Sequence, residues 1–122
     1  MSLNEEELAG FASLLRVRRA ELARDRTAIA DELDLVRTAR GESSSDDEHD
    51  PEGSTLTSDW SRIVGLGESV TERIRAVDAA LQRIADGTYG VCVRCGKPIG
   101  GERLSARPAA ATCIDCAREL DG

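Results

Sequence analysis

The stretch "WSRIVGLGESVTERIRAVDAALQRI" (Trp60–Ile84) decides the fold. Trp60, Ile63, Gly67, Val70, Ile74, Val77, Leu81 and Ile84 follow one another at alternating spacings of three and four. A helix turns once in about 3.6 residues, so this alternation keeps one apolar seam on one face and predicts a coiled-coil strand. Gly67 leaves a gap in the seam where a partner helix can approach closely. Ser58 and Asp59 are N-cap candidates upstream, since their short oxygen-bearing side chains can accept from orphan helix N–H groups. Downstream, "DGTYG" stops the pattern near Asp86, with Gly87 placed for the left-handed residue that commonly follows a helix.

A second seam precedes the first. From about Asn4 to Arg40 the chain has no Pro, and its one internal Gly is Gly10. Leu8, Leu15, Leu22, Ile29 and Val36 recur every seven residues, with Phe11 and Leu33 widening the stripe. Intermediate positions such as Arg18 and Asp25 are charged, which points to local ion pairing or a partly wet interface. At about 1.5 Å per residue this helix is roughly 55 Å long. Two seams of similar length joined by one polar segment predict an antiparallel hairpin, because a single chain then buries both. A parallel homodimer is the alternative arrangement. The expected fold is all-α: a long antiparallel coiled-coil hairpin over residues 1–86, with a tip loop at about 41–57, followed by a small module over 87–122.

The four cysteines belong to that last module. Cys92 and Cys95 form one C-x2-C pair, Cys113 and Cys116 another, and 17 residues separate them. Each pair aims two sulfurs at one point, and two such pairs supply the tetrahedral thiolate set that Zn²⁺ prefers. Gly96, after Cys95, tolerates the positive φ that such turns need. A closed four-thiolate site leaves no position for a reacting water, so the expected cofactor is one structural Zn²⁺. Redox-active C-x2-C pairs belong with a strand–helix alternation that is missing here, and structural disulfides need an oxidising compartment. Arg94, Lys97, Arg103, Arg107 and Arg118 lie close enough in sequence to offset the thiolate charge. "CIDCAREL" reads as a short C-terminal helix whose N-terminal dipole favours thiolates.

Composition sets the remaining limits. The 122 residues carry a net charge of −7, and the chain has one Trp, one Tyr and one Phe. No apolar run approaches the ~20 residues of a membrane span. The acidic start "MSLNEEELAG" lacks a signal peptide's apolar region, and a cytoplasmic location is expected. Residues 41–55 hold six acids and no Lys or Arg, so nearly all the charge imbalance sits between the two helices. An acidic chain is a poor direct binder of nucleic acid, whose affinity comes from neutralised phosphates. A charge run is commonly only a solvated loop. At the end of a stiff rod it becomes a probe for a basic wall or a bound Mg²⁺. Asp46, Asp47, Glu48 and Asp50 are the candidate partner-binding residues, with His49 beside them and Pro51 and Gly53 shaping the turn. One His, no phosphate-cradling Gly motif and no open metal position argue against an enzyme.

The segment "YGVCVRCGKPIGGERLSARPAAATCIDCAREL" resembles the zinc-finger signature of the DksA/TraR family of transcription regulators. Tyr89-Gly90, the cysteine pairs, Gly96, Ile99, Arg103-Leu104, Ala106-Arg107-Pro108 and Ile114 carry the likeness, which covers about thirty residues directly. The hairpin itself suggests a monomer, and the resemblance implies a protein that binds RNA polymerase. It implies a hairpin that enters the secondary channel and an acidic tip that modulates initiation near the catalytic centre. Asp47 and Asp50 match the acids of the family's tip pattern, while Glu52 stands where that pattern has Ala. Some members bind ppGpp together with polymerase. Arg107 matches one basic position involved, and Ala117 replaces another, so that activity is not carried over. A zinc-stabilised coiled-coil adaptor or a redox-sensing protein-binding module is the competing reading, since zinc thiolates can oxidise.

Overall fold

The computed structural model describes residues 3–43 and 51–121, with the side chains of 42–43 and 51–56 left aside. Four helices follow in order: α1 (Glu5–Ser43), α2 (Pro51–Asp86), α3 (Gly101–Ala106) and α4 (Ile114–Asp121). The only extended pairing among the described residues is an isolated antiparallel bridge between Val91 and Pro98. The chain is therefore all-α, a long helical hairpin followed by a small cysteine module.

The start of α1 is fixed by a reciprocal capping box. Asn4 Oδ1 accepts from the Glu7 N–H at 2.7 Å, and Glu7 Oε1 accepts from the Asn4 N–H at 3.1 Å. Two donors that no helical carbonyl can reach are thereby satisfied. At the end of α2, Gly87 has φ +79°, its N–H reaches Ile84 O, and the Thr88 N–H reaches Arg83 O at 2.9 Å. This is a Schellman stop built on the glycine that the sequence marked for it.

The inner helix ends differ from the sequence expectation. α1 runs to Ser43, and α2 begins at Pro51 rather than after an N-cap at Ser58 or Asp59. Pro is well suited to a first helical position, because its missing N–H would have no helical partner there and its φ is already helical. Pro51 and Gly53 thus lie in the first turn of α2 rather than in a loop, and a connection spanning 41–57 is too long. Asp46, Asp47, Glu48 and Asp50, with His49, fall outside the described residues.

Packing divides the chain into two compact units. The first joins α1 up to Ala20 with everything from Ile74 onward, so the cysteine module shares a unit with the outer ends of both long helices. Here Ala12, Leu15, Ile74, Val77 and Ala80 are buried, with Leu15 1% exposed and Ala80 0%. Each large apolar side chain buried this way contributes about 1.5–3 kcal/mol. Ala80 stands three residues before Arg83, whose guanidinium reaches Ala110 of the cysteine module at 3.4 Å. The buried face thus includes Ala80, while Leu81 and Ile84 of the heptad pattern are half-buried. On α1 the positions between the leucines are Ala12 and Arg19, not Arg18, which is exposed. Arg19 forks onto Asp78, Nε to Oδ1 at 2.6 Å and Nη2 to Oδ2 at 3.2 Å. The charged seam position is thus paired locally.

The second unit comprises Glu21–Arg73. Ile63 and Val70 are its buried seam residues, and Leu22, Ile29, Leu33 and Val36 are half-buried opposite them. A Cβ on Gly67 would meet Ile29 Cγ2 at 3.4 Å, so the helices do approach closely at the gap. Arg37 and Arg40 lie over the Trp60 ring, 5.9 and 5.4 Å from its centroid. In the first unit Arg19, early in α1, meets Asp78, late in α2; in the second, Arg37 and Arg40, late in α1, meet Trp60, early in α2, which is antiparallel pairing.

Candidate metal centre

A tight turn presents the first cysteine pair. The Cys92 N–H donates to Lys97 O at 2.8 Å, and the Gly96 N–H returns to Cys92 O at 2.9 Å. Gly96 has φ +78°, a conformation costly for any residue with a Cβ. The Ile99 N–H donates to Gly90 O at 2.8 Å and closes the base of the turn. The second pair sits on the entry to α4. The Cys113 carbonyl accepts from the Ala117 N–H at 2.9 Å, and Cys116 occupies the first turn. Both sulfurs of this pair lie at the positive end of the helix, as the sequence indicated.

The four sulfurs lie within 4.8 Å of one another, and Cys95 Sγ is 3.7 Å from Cys113 Sγ. All four cysteines are free of disulfide bonds. A tetrahedral Zn²⁺ with metal–sulfur bonds of about 2.3 Å has sulfur–sulfur edges of about 3.8 Å, so the set fits one ion. Cys92 and Cys116 are buried, Cys113 is half-buried and Cys95 is exposed.

The four thiols do not ionise alike. Burial pushes the Cys116 thiol up to about 12, and hydrogen bonds from Cys113, Cys95 and Cys92 add to the rise. Burial also opposes ionising Cys92, but backbone N–H groups of Cys113, Cys95 and Arg94 outweigh it and bring that thiol down to about 6. The Cys92 thiol thus gives up its proton readily while Cys116 resists, and a bound metal takes each sulfur as thiolate. Arg94, Lys97 and Arg118 share the hollow around the sulfurs with Asp115 and Glu119. Arg94 is ion-paired to Glu119 and also touches Cys116. Arg103 acts differently from the sequence expectation: its Nε donates to Thr112 O at 2.9 Å, so it braces the backbone before Cys113.

Further braces escaped the sequence reading. The Tyr89 hydroxyl donates to Pro108 O at 2.8 Å in a buried bond, and its ring packs on Phe11 at 5.5 Å between centroids. Arg83 Nη2 donates to Ala110 O, and the Val93 N–H to Ala111 O at 2.9 Å. Arg83 sits within a heptad pattern and reads as an outward-facing charge. Nothing in its spacing betrays a carbonyl 27 residues away.

The fold and the site together define a helical-hairpin protein with a four-cysteine zinc finger. Residues 87–121 match the prokaryotic dksA/traR C4-type zinc finger. The chain belongs to the DksA/TraR family. It is 28% identical over 114 residues to the RNA polymerase-binding transcription factor DksA of Escherichia coli strain K12, covering 93% of this chain and 71% of that one. The structure of transcription factor DksA2 from Pseudomonas aeruginosa superposes with a TM-score of 0.79 at 26% identity, over 97% of this chain and 85% of that one. The solution structure of the DnaK suppressor protein from Agrobacterium tumefaciens C58 is 33% identical, with a TM-score of 0.60 over 98% and 96% of the two chains. Among the described residues no helix is long and apolar enough to cross a membrane.

Proposed function

We propose that this chain is a cytoplasmic transcription regulator that binds RNA polymerase through its secondary channel and modulates initiation. The observation that carries this reading is the likeness, over 93% of the chain, to a protein named for RNA polymerase binding and transcription. In this reading the hairpin, residues 1–86, is the working arm, and residues 87–122 form the anchor. Cys92, Cys95, Cys113 and Cys116 hold one structural zinc. Asp46, Asp47, Glu48 and Asp50, in the segment between α1 and α2, approach the polymerase active centre. There a bound Mg²⁺ or a basic channel wall is the complementary target. The chain acts as a monomer and makes or breaks no bond itself. With Ala117 where a second basic residue is associated with ppGpp, no nucleotide is included in the reading.

Two measurements test it. The protein should co-purify with core RNA polymerase and be displaced by a known secondary-channel binder. Asp47→Asn with Asp50→Asn should abolish the change in open-complex lifetime while leaving co-purification and helix content intact. Failure to retain polymerase would favour a coiled-coil adaptor for another protein. An undiminished effect of the double variant would remove the acids from the mechanism.

A further inference from the structure

The backbone leading into the second cysteine pair is held from several sides. Between Pro108 and Thr112 the carbonyls of residues 108, 110 and 112 each accept from a side chain: Tyr89 at 2.8 Å, Arg83 at 3.4 Å and Arg103 at 2.9 Å. The intervening Ala111 carbonyl accepts from the Val93 N–H at 2.9 Å, next to Cys92. Four of five consecutive carbonyls are thus fastened, although the segment belongs to no helix or strand. One donor, Arg83, stands on α2. Another, Tyr89, stacks on Phe11 of α1.

We propose that Tyr89, Arg83 and Arg103 are positioning residues for the metal site. They set the path of Pro108–Thr112 so that Cys113 and Cys116 arrive opposite Cys92 and Cys95. The buried Nε of Arg83 has no hydrogen-bond partner. Such an orphan is rare and calls for a reason. Here the reason is that the guanidinium is placed for the Ala110 carbonyl rather than for its own full satisfaction. Burial correspondingly lowers the proton affinity of Arg83 and raises that of the Tyr89 phenol. Because Arg83 stands on α2 and Tyr89 packs against α1, metal occupancy and the packing of the outer helix ends are linked. Linkage is reciprocal: what the helices do for the site, the occupied site does for the helices.

The test reads zinc release into an excess of a colorimetric chelator, with helix content followed by far-ultraviolet circular dichroism. Tyr89→Phe and Arg103→Lys should each speed release about tenfold or more, the scale of lost support around a metal ligand. Helix content should stay at the wild-type level. Arg103→Lys keeps the charge and loses the planar donor. If it matched the wild type while Arg103→Ala released quickly, the role would be charge alone and the proposal would fall. Unchanged release in both Tyr89→Phe and Arg103→Lys would also overturn it. A measurement without variants uses the single Phe and single Tyr. Nuclear Overhauser contacts between the Phe11 and Tyr89 rings should be present with zinc and disappear when it is chelated. Their persistence without zinc would break the proposed link.

Discussion

Single residues at the finger's turns carry constraints that their types announce and one that they do not. Gly90 has φ +90°, and a Cβ there would meet Leu3 Cδ1 at 3.3 Å. Gly90→Ala should therefore destabilise by about 1–2 kcal/mol through backbone strain alone, read from urea unfolding, with the Leu3 contact adding to the loss. Tyr89 gives a pH signature. Burial raises its phenol from 10.0 to about 12, against the pull of Arg83. The folded state therefore prefers the neutral phenol. That preference is fully present below pH 10 and is lost as pH rises from 10 towards 12. Alkaline unfolding followed by circular dichroism should show this loss, and Tyr89→Phe should remove it from the profile. Gly87 and Gly96 were legible in the sequence because positive φ selects glycine. The full burial of Ala80 was not, because a small apolar residue beside a seam reads the same whether buried or exposed.

The long helices were legible as elements because three-and-four spacing leaves few other structures. Their inner ends were not. The acidic, Ser-rich run resembled a loop, and two polar N-cap candidates outweighed a proline that was itself suited to begin the helix. Capping chemistry is degenerate where several suitable residues lie within one turn or two. The charged position on α1 was off by one residue, since a heptad of leucines does not say whether the intervening seam residue comes three or four later. Gly65 lies in the interior of α2, and a Cβ there would meet nothing within 4 Å, so no packing reason keeps it. Gly65→Ala should stabilise the helix by about 0.5–1 kcal/mol, seen as a rise in melting temperature. Gly67→Ala would place its methyl against Ile29 and gain less.

For the whole molecule, the cysteine spacing pointed to zinc and to the four cysteines that come together, while the hydrogen bonds around them join residues up to 27 apart and leave no local pattern. Few apolar residues are buried in the module: Tyr89, Ile99, Leu104 and Pro108 accompany two of the cysteines. Zinc binding is worth roughly 10–16 kcal/mol in small modules, which exceeds what such a core supplies. Chelation should release one zinc per chain, unfold residues 87–121 and lower the melting temperature, all reversed by added Zn²⁺. Cys113→Ser should reproduce the metal-free behaviour.

The fork between Arg19 and Asp78 bears on which neighbours the two strands accept. Sliding one strand by a helical turn would part the two charges and set the guanidinium beside Ile74 or Leu81, a loss that apolar residues alone would not create. An otherwise repetitive zipper thereby acquires a tooth that meshes in one alignment.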